Sequence, residues 1–138
     1  MRVVSAGPPA ALNTHVHRWL PFRMHELGIA NSVLEAARAE LGRHPGATPV
    51  TVALRVGELA ALNPEALSFS FRAITAGTEW ENVALEIQST PRQHRCPACR
   101  ITFRVIDSSF ACPRCGAPQT QCVGGDELEL AYLELEEP

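Results

Sequence analysis

The 138-residue sequence predicts an α+β fold, in which a small sheet carries two helices and a cysteine-rich module is inserted before the last strand. Three observations predict it. Two segments repeat apolar residues at helical spacing, three segments alternate apolar and other residues, and four cysteines form two close pairs. The apolar fraction of 46% supports a buried core. A chain of this length suits one ordinary domain, or two small ones if a metal holds the second.

Residues 1–23 differ from the rest of the chain. They contain Gly7-Pro8-Pro9 and three arginines, but no acidic residue and no clear periodicity. We expect this stretch to be a disordered extension upstream of a working start at Met24. An acid-poor, arginine-bearing start is also compatible with organelle targeting, which we regard as the weaker alternative.

A first helix is predicted from apolar residues that recur at steps of three and four positions. These residues are Leu27, Ala30, Leu34, Ala37 and Leu41. Gly42 and the Pro45-Gly46 pair should end this helix. In the next segment, 50–56, valine or leucine alternates with other residues, which predicts a strand.

The second helix has a strong start signal in Asn63-Pro64-Glu65, which offers a capping side chain, a proline at the first helical position and an acid in the first turn. Its apolar stripe consists of Leu67, Phe71 and Ile74. Gly77 is placed to end it. Val83, Leu85 and Ile87 then alternate with other residues and predict a further strand.

The last strand follows a turn at Gly124-Gly125. Every second residue from Leu128 to Tyr132 is apolar, but the phase flips at Leu133 and Leu135. The flip predicts either a bulge near Tyr132 or a strand buried on both faces. We expect this strand to return to the first sheet, because alone it could not cover its apolar face.

The cysteine pairs are Cys96-Pro-Ala-Cys99 and Cys112-Pro-Arg-Cys115, with twelve residues between them. Four thiolates from two such turns suit tetrahedral Zn²⁺, and a site filled by four sulfurs supports structure rather than catalysis. Two disulfides or a redox dithiol are the alternatives, but a redox Cys-x-x-Cys normally occurs singly. His94 could replace a sulfur in a rearranged site, although we expect it to be solvated. Cys122 is expected to be a buried or half-buried small hydrophobe.

These patterns divide the chain into three parts. We expect a disordered extension at 1–23, an α+β domain formed by 24–90 and 119–138, and a zinc-binding domain at 91–118. No apolar run approaches a membrane span, and no signal peptide is visible. Reduced, zinc-bound cysteines then favour a cytoplasmic location.

A second metal site is indicated by Met24-His25-Glu26, at the start of the first helix. An isolated histidine at such a position is usually solvated. If the chain starts at Met24, however, its amine, the next backbone nitrogens and the His25 imidazole can close chelate rings around one ion. Ni²⁺ and Cu²⁺ accept planar nitrogen sets of this kind.

These features, taken in order, resemble those of a known family, the HypA or HybF nickel metallochaperones of nickel–iron (NiFe) hydrogenase maturation. The resemblance covers essentially all of 24–138. The motifs that carry it are Met24-His25-Glu26, Val56-Gly57-Glu58-Leu59, the segment 64–71, Gly77-Thr78, the double cysteine pair and Gly125-Asp126-Glu127-Leu128.

The resemblance implies that the α+β domain binds exchangeable Ni²⁺ and that the zinc domain is structural. The nickel ligands would be the Met24 amine, backbone nitrogens at His25 and Glu26, and the His25 side chain, with the Glu26 carboxylate as an outer-shell or docking group. It also implies delivery of Ni²⁺ to the hydrogenase large subunit with help from a GTPase.

The chain departs from the pattern of this family in two places. Residues 1–23 would remove the free amine at Met24, and Asn63 replaces an acid found in some relatives.

Two other functions are compatible with parts of the sequence. The zinc-ribbon module could bind nucleic acid or an acidic protein partner, because residues 91–118 carry five arginines against Asp107 alone. A net charge of −3 and few stacking aromatics make nucleic acid the less favoured target. Glu58, His25 and Glu65 could form an acid–base set, but no nucleophile or phosphate-binding motif accompanies them, so we expect no enzymatic activity.

Overall fold

The computed structural model of the chain describes residues 2–5, 10–11, 25–60 and 62–138. Within them lie two α-helices, α1 (His25–Leu41) and α2 (Pro64–Thr75), and a short 3₁₀ helix, Glu58–Ala60. The strands are β1 (Arg2–Ser5), β2 (Ala10–Ala11), β3 (Thr48–Gly57), β4 (Ala84–Thr90), β5 (Gln93–Arg95), β6 (Thr102–Arg104), β7 (Gln121–Gly124) and β8 (Leu128–Glu136). The predicted α+β class is confirmed. No helix in these described ranges is long and apolar enough to cross a membrane.

The chain divides into two compact units. The first contains residues up to Arg55, Leu62–Gln88 and Leu128–Pro138, and the second contains Val56–Ala61 and Ser89–Glu127. The second unit thus includes the range 91–118, for which a zinc domain was predicted. It also includes Val56–Ala61 and the residues that flank this range within Ser89–Glu127. The finer domain boundaries stay a prediction.

The first unit is built on a five-stranded sheet with the order β1-β8-β3-β4, in which β2 also pairs with β8. Helix α1 packs against α2 and against β8. Ala30, Leu34 and Ala37 of the predicted α1 stripe are buried, whereas Leu27 and Leu41 are half-buried. The core also takes the alternate residues Val52 and Leu54 of β3, Leu67 and Phe71 of α2, and Trp80.

Helix α2 begins as its sequence predicts. The Asn63 side chain accepts hydrogen bonds from the backbone N–H groups of Glu65 (3.0 Å) and Ala66 (3.1 Å), which would otherwise lack partners at the helix start. At the other end, Gly77 adopts φ +76°, a left-handed conformation that glycine reaches without steric cost. Asn63 is therefore a structural cap.

The closing strand β8 returns to the first sheet and lies beside β3, as expected. It runs without interruption from Leu128 to Glu136. Its buried positions change phase along the strand, from Leu130 to Leu133 and Leu135. The sequence flip is therefore a real change in which side chains are buried.

The extension contains strands, which its sequence did not indicate. Residues 2–5 and 10–11 pair antiparallel with β8, whereas disorder was predicted for the whole of 1–23. The remaining residues of that prediction lie outside the described ranges. Backbone pairing needs little sequence periodicity when a neighbouring strand supplies the template, which is why composition gave no signal here.

The second unit has its own three-stranded sheet, with β5 between β6 and β7. The end of β3 is tied to the turn before β8: the Gly57 N–H donates to the Glu127 carbonyl (2.7 Å), and the Leu59 N–H donates to the Gly125 carbonyl (2.8 Å). At this crossing the two backbones touch, since a Cβ added at Gly57 would lie 2.0 Å from the Gly125 oxygen. Glycine is therefore required at position 57.

Candidate metal centre

The four cysteines of the two pairs come together in the second unit. The Sγ atoms of Cys96, Cys99, Cys112 and Cys115 all lie within 4.8 Å of one another. The distances Cys96 Sγ–Cys115 Sγ and Cys99 Sγ–Cys112 Sγ are both 3.5 Å. Zinc–sulfur bonds of about 2.3 Å in a tetrahedron place the sulfurs roughly 3.8 Å apart, so the donor set fits Zn²⁺.

Each cysteine pair forms the same kind of turn. In the first, the Cys99 N–H donates to Cys96 Sγ (3.5 Å) and the Arg100 N–H donates to the Cys96 carbonyl (2.8 Å). In the second, the Cys115 N–H donates to Cys112 Sγ (3.5 Å) and the Gly116 N–H donates to the Cys112 carbonyl (2.9 Å). These bonds close each turn and hold the first sulfur of each pair, Cys96 Sγ or Cys112 Sγ.

The residue that follows each pair adopts a left-handed backbone. Gly116 has φ +77°, and Arg100, at the equivalent position, has φ +66°. A side chain in this conformation costs about 1–2 kcal/mol, so Arg100 is held there by the rest of its turn. The geometry of the turn, rather than the identity of the residue, sets the backbone at this point.

The thiols compete for negative charge. Burial acts to raise the pKa of Cys112, but the backbone N–H groups of Cys115 and Arg114, together with neighbouring thiols, outweigh it and lower the pKa to about 6. The N–H of Ala117 acts to lower the pKa of Cys115, yet the surrounding thiols and burial raise it to about 11. Four thiols this close cannot all ionise unaided, and a divalent cation would stabilise the fully ionised set.

His94 is buried, with 3% of its surface exposed, so the expectation that it is solvated was wrong. Arg92 Nε donates to its Nε2 (2.9 Å), and its Nδ1 lies 2.8 Å from Thr120 Oγ1. Because Nε2 accepts, Nδ1 carries the proton and donates to Thr120. Thr120 in turn donates to the Phe110 carbonyl. Both ring nitrogens are therefore already bonded within the protein.

Aromatic contacts complete this arrangement. The His94 ring stacks on Phe110 with centroids 5.3 Å apart and planes 10° apart, and the Arg92 guanidinium lies 4.4 Å from the Phe110 ring centroid. Burial, and then the charge of Arg92, lower the pKa of His94, which keeps the imidazole neutral. We call His94, Arg92, Phe110 and Thr120 the histidine latch. It joins β5 to the chain on both sides of the second cysteine pair.

Replacing His94 with alanine should therefore destabilise the second unit. The change leaves Arg92 Nε and Thr120 without their partner and opens a cavity beside Phe110, which together cost about 2–4 kcal/mol. Zinc affinity should fall by roughly thirtyfold or more, since each 1.4 kcal/mol is a factor of ten. Competition with a chromophoric chelator measures this affinity. Thr120→Val removes the hydrogen bonds to His94 and to the Phe110 carbonyl but opens no cavity beside the ring, so it should lose only about 1–2 kcal/mol. Equal losses for both variants would contradict the latch.

Cys122 lies outside the cluster and is exposed, so the expectation that it is buried or half-buried was wrong. It is on β7, where its Sγ lies 3.4 Å from the Gly124 carbonyl oxygen. Because β7 is an edge strand of a three-stranded sheet, a small apolar residue there need not face a core.

The predicted nickel residues lie where the first helix begins. Met24 falls outside the described residues, His25 is the first residue of α1, and Glu26 occupies the first helical turn. The Glu26 side chain is buried, with 7% of its surface exposed.

The residues considered for acid–base chemistry have other partners. Glu58 Oε2 accepts from the Arg92 N–H (3.0 Å) and Glu58 Oε1 accepts from Arg104 (3.1 Å). The Arg92 N–H is the main cause that lowers the pKa of Glu58. Glu65 lies in the first turn of α2, where a carboxylate favours the helix start. Both carboxylates thus have structural roles.

Comparison with known proteins gives a consistent result. A sequence model of the family described as hydrogenase/urease nickel incorporation, metallochaperone, hypA matches residues 24–135. The hydrogenase maturation factor HypA of Roseiflexus sp. (strain RS-1) is 40% identical over 115 residues, which cover 83% of this chain and 94% of that protein. The HypA of Dechloromonas aromatica (strain RCB) is 34% identical over 113 residues, covering 82% and 100%.

Two solved structures share the fold. The solution structure of the Ni metallochaperone HypA from Helicobacter pylori superposes with a TM-score of 0.58 at 17% identity, and covers 82% of this chain and 98% of that one. A second solution structure, of HypA protein, has a TM-score of 0.57 at 19% identity, with 83% and 98% covered. Both matches leave part of this chain uncovered.

Proposed function

The chain belongs to the HypA family of nickel metallochaperones, and from this premise we propose that it binds Ni²⁺ and delivers it for insertion into the active site of NiFe hydrogenase. The observation that carries the proposal is the family match over 24–135, a range that includes both the Met24-His25-Glu26 start and the four-cysteine cluster. Nickel is the cargo of this activity rather than a resident cofactor.

The nickel site we propose requires a chain that begins at Met24. It is formed by the Met24 amine, backbone nitrogens at His25 and Glu26, and the His25 imidazole. All belong to the chain that enters α1, so they are close together in sequence and need no long-range packing to meet. An amine, an imidazole and deprotonated backbone amide nitrogens in a plane suit Ni²⁺. The burial of Glu26 favours an outer-shell role for its carboxylate over a docking role.

Zinc, we propose, is the resident metal of the four-cysteine cluster and has a structural role. Four Sγ atoms within 4.8 Å of one another would complete a tetrahedral zinc and leave no open position for a substrate. Zn²⁺ bound there would supply the positive charge that four crowded thiolates require. The two metals would then differ in how fast they dissociate. Zinc would stay bound and stabilise the second unit, whereas nickel at the start of α1 would exchange and be delivered.

The partners we propose are the maturation GTPase and the hydrogenase large subunit. The exposed arginines of the second unit, Arg95, Arg100 and Arg114, suit contact with an acidic protein surface, where they would steer the encounter. The nucleic-acid alternative is weakened, because Arg92 and Arg104 are engaged within the unit by the histidine latch and by Glu58. Retention on single-stranded DNA that falls steeply with salt would restore it.

The test of this function is His25→Ala in a zinc-loaded chain that begins at Met24. We expect stoichiometric Ni²⁺ binding to be lost, with at least a tenfold fall in affinity, because the imidazole completes the planar set. Zinc content and the circular dichroism spectrum should not change. Isothermal titration with Ni²⁺ measures the affinity.

The matched control is His44→Ala. His44 lies just after α1, where its Nε2 is 3.9 Å from Glu40 Oε1, and its loss should leave nickel binding intact. Unchanged nickel affinity in the His25 variant would remove that residue from the mechanism.

A further inference from the structure

The outer edge of β8 is covered by the N-terminal strands. Strand β1 pairs antiparallel with β8 through Arg2↔Glu136, Val3↔Leu135, Val4↔Glu134 and Ser5↔Leu133, and β2 pairs through Ala10↔Leu130 and Ala11↔Glu129. The other edge of β8 is taken by β3. The central position of β8 in the sheet therefore depends on residues 2–5 and 10–11.

These covering strands lie outside the part of the chain that the family shares. The family match begins at residue 24, and relatives are covered over 94% and 100% of their length by 83% and 82% of this chain. A chain that begins at Met24 would leave unpaired the two stretches of the outer β8 edge that β1 and β2 now cover, 133–136 and 129–130. An unpaired edge is a template for another strand.

We propose that the outer edge of β8 is a strand-docking surface for an extended segment of a partner protein, and that residues 2–5 and 10–11 occupy it within the same chain. The partner segment binds by backbone hydrogen bonds, as in other cases of strand addition. While the N-terminal strands are paired, they exclude that segment. The proposal is independent of nickel.

The residues along β8 define the chemistry of the partner segment. Small or apolar residues of the N-terminal strands lie opposite Leu130, Leu133 and Leu135, and Arg2 lies opposite Glu136. The partner should therefore be an extended segment with small apolar residues and a basic residue at one end. A second copy of β8 is disfavoured as the occupant, because β8 contains three glutamates and no basic residue that could pair with them across the new strand pair.

Two neighbouring valines provide a sharp test within the full chain. Val3 is half-buried opposite Leu135, whereas Val4 is exposed by 53%. Val3→Asp should release the N-terminal strands, whereas Val4→Lys, which places a positive charge opposite Glu134, should not. Amide hydrogen exchange along 129–136 reports the release, with at least tenfold faster exchange at amides that face the N-terminal strands. Amides that face β3 should stay protected and serve as an internal control.

The chain that begins at Met24 completes the experiment, since it corresponds to the range over which relatives are matched along their whole length. Its outer β8 amides should exchange at least tenfold faster than in the full chain, and a synthetic peptide of residues 1–12 should restore protection. The same peptide with Val3→Asp should not. Equal protection in the full and shortened chains would overturn the proposal. Protection of the shortened chain that rises with its own concentration would also overturn it, by identifying a second copy as the occupant.

Discussion

Replacing Cys112 with serine is expected to release zinc and to unfold the second unit. The Cys112 Sγ is one of four sulfurs within 4.8 Å of one another, and it accepts the Cys115 N–H that shapes the second turn. Structural zinc contributes on the order of 10 kcal/mol to folding, so the loss of one thiolate removes most of the stability of a unit this small. Zinc content after dialysis should fall from one ion per chain to none, and amide protection in Ser89–Glu127 should be lost.

The control for this experiment is Cys122→Ser. Cys122 is exposed on β7 and lies outside the four-sulfur cluster, so its replacement should leave zinc content and stability unchanged. Full zinc retention by the Cys112 variant, at the affinity of the unmodified chain, would contradict a four-sulfur site. Zinc loss in the Cys122 variant would contradict it as well, because it would make the fifth sulfur a ligand.

Gly57→Ala should have the second large effect. The added Cβ would lie 2.0 Å from the Gly125 carbonyl oxygen and 2.2 Å from its carbon, both of them backbone atoms that cannot rotate away. Relief requires separating the end of β3 from the turn at Gly125, which would also break the Gly57–Glu127 and Leu59–Gly125 hydrogen bonds. We expect a loss of about 3–5 kcal/mol, the range of severe core substitutions, measured by denaturant unfolding of the zinc-loaded chain.

Gly116→Ala separates this clash from the general cost of replacing a glycine. Gly116 has φ +77° but nothing within 4 Å of an added Cβ, so its replacement should cost only about 1 kcal/mol. If the two variants lose equal stability, the close backbone approach at Gly57 is not what fixes this crossing.

Local signals in the sequence were sufficient to predict both helices and the strands β3, β4 and β8, but not β1, β2, β5, β6 or β7. The caps and periodicity of α2 are properties of neighbouring residues, so Asn63 and Gly77 could be assigned before any packing was known. The same holds for the four cysteines, whose spacing within each pair sets the turn that aims the sulfurs. Spacing rules work in these cases because the interactions that matter span four residues or fewer.

Interactions between distant residues could not be predicted in this way. His94 is buried because it contacts Phe110 and Thr120, and Thr120 lies 26 residues further along the chain. The residues next to His94 in the sequence do not indicate these contacts. The need for glycine at position 57 comes from Gly125, which lies even further away along the chain. Cys122 was misjudged because a small apolar residue on a short edge strand carries no sign of which way it faces.

In the proposed function, two metals are bound by different donors. The cysteine sulfurs of the second unit bind zinc, and the nitrogen atoms at the start of α1 bind nickel. Nickel K-edge X-ray absorption on the zinc-loaded chain that begins at Met24, with one equivalent of Ni²⁺, tests this directly. We predict nitrogen and oxygen neighbours only, together with the pre-edge feature of planar coordination, and loss of that pre-edge feature in His25→Ala. Sulfur neighbours around nickel, with zinc displaced from the four cysteines, would contradict it.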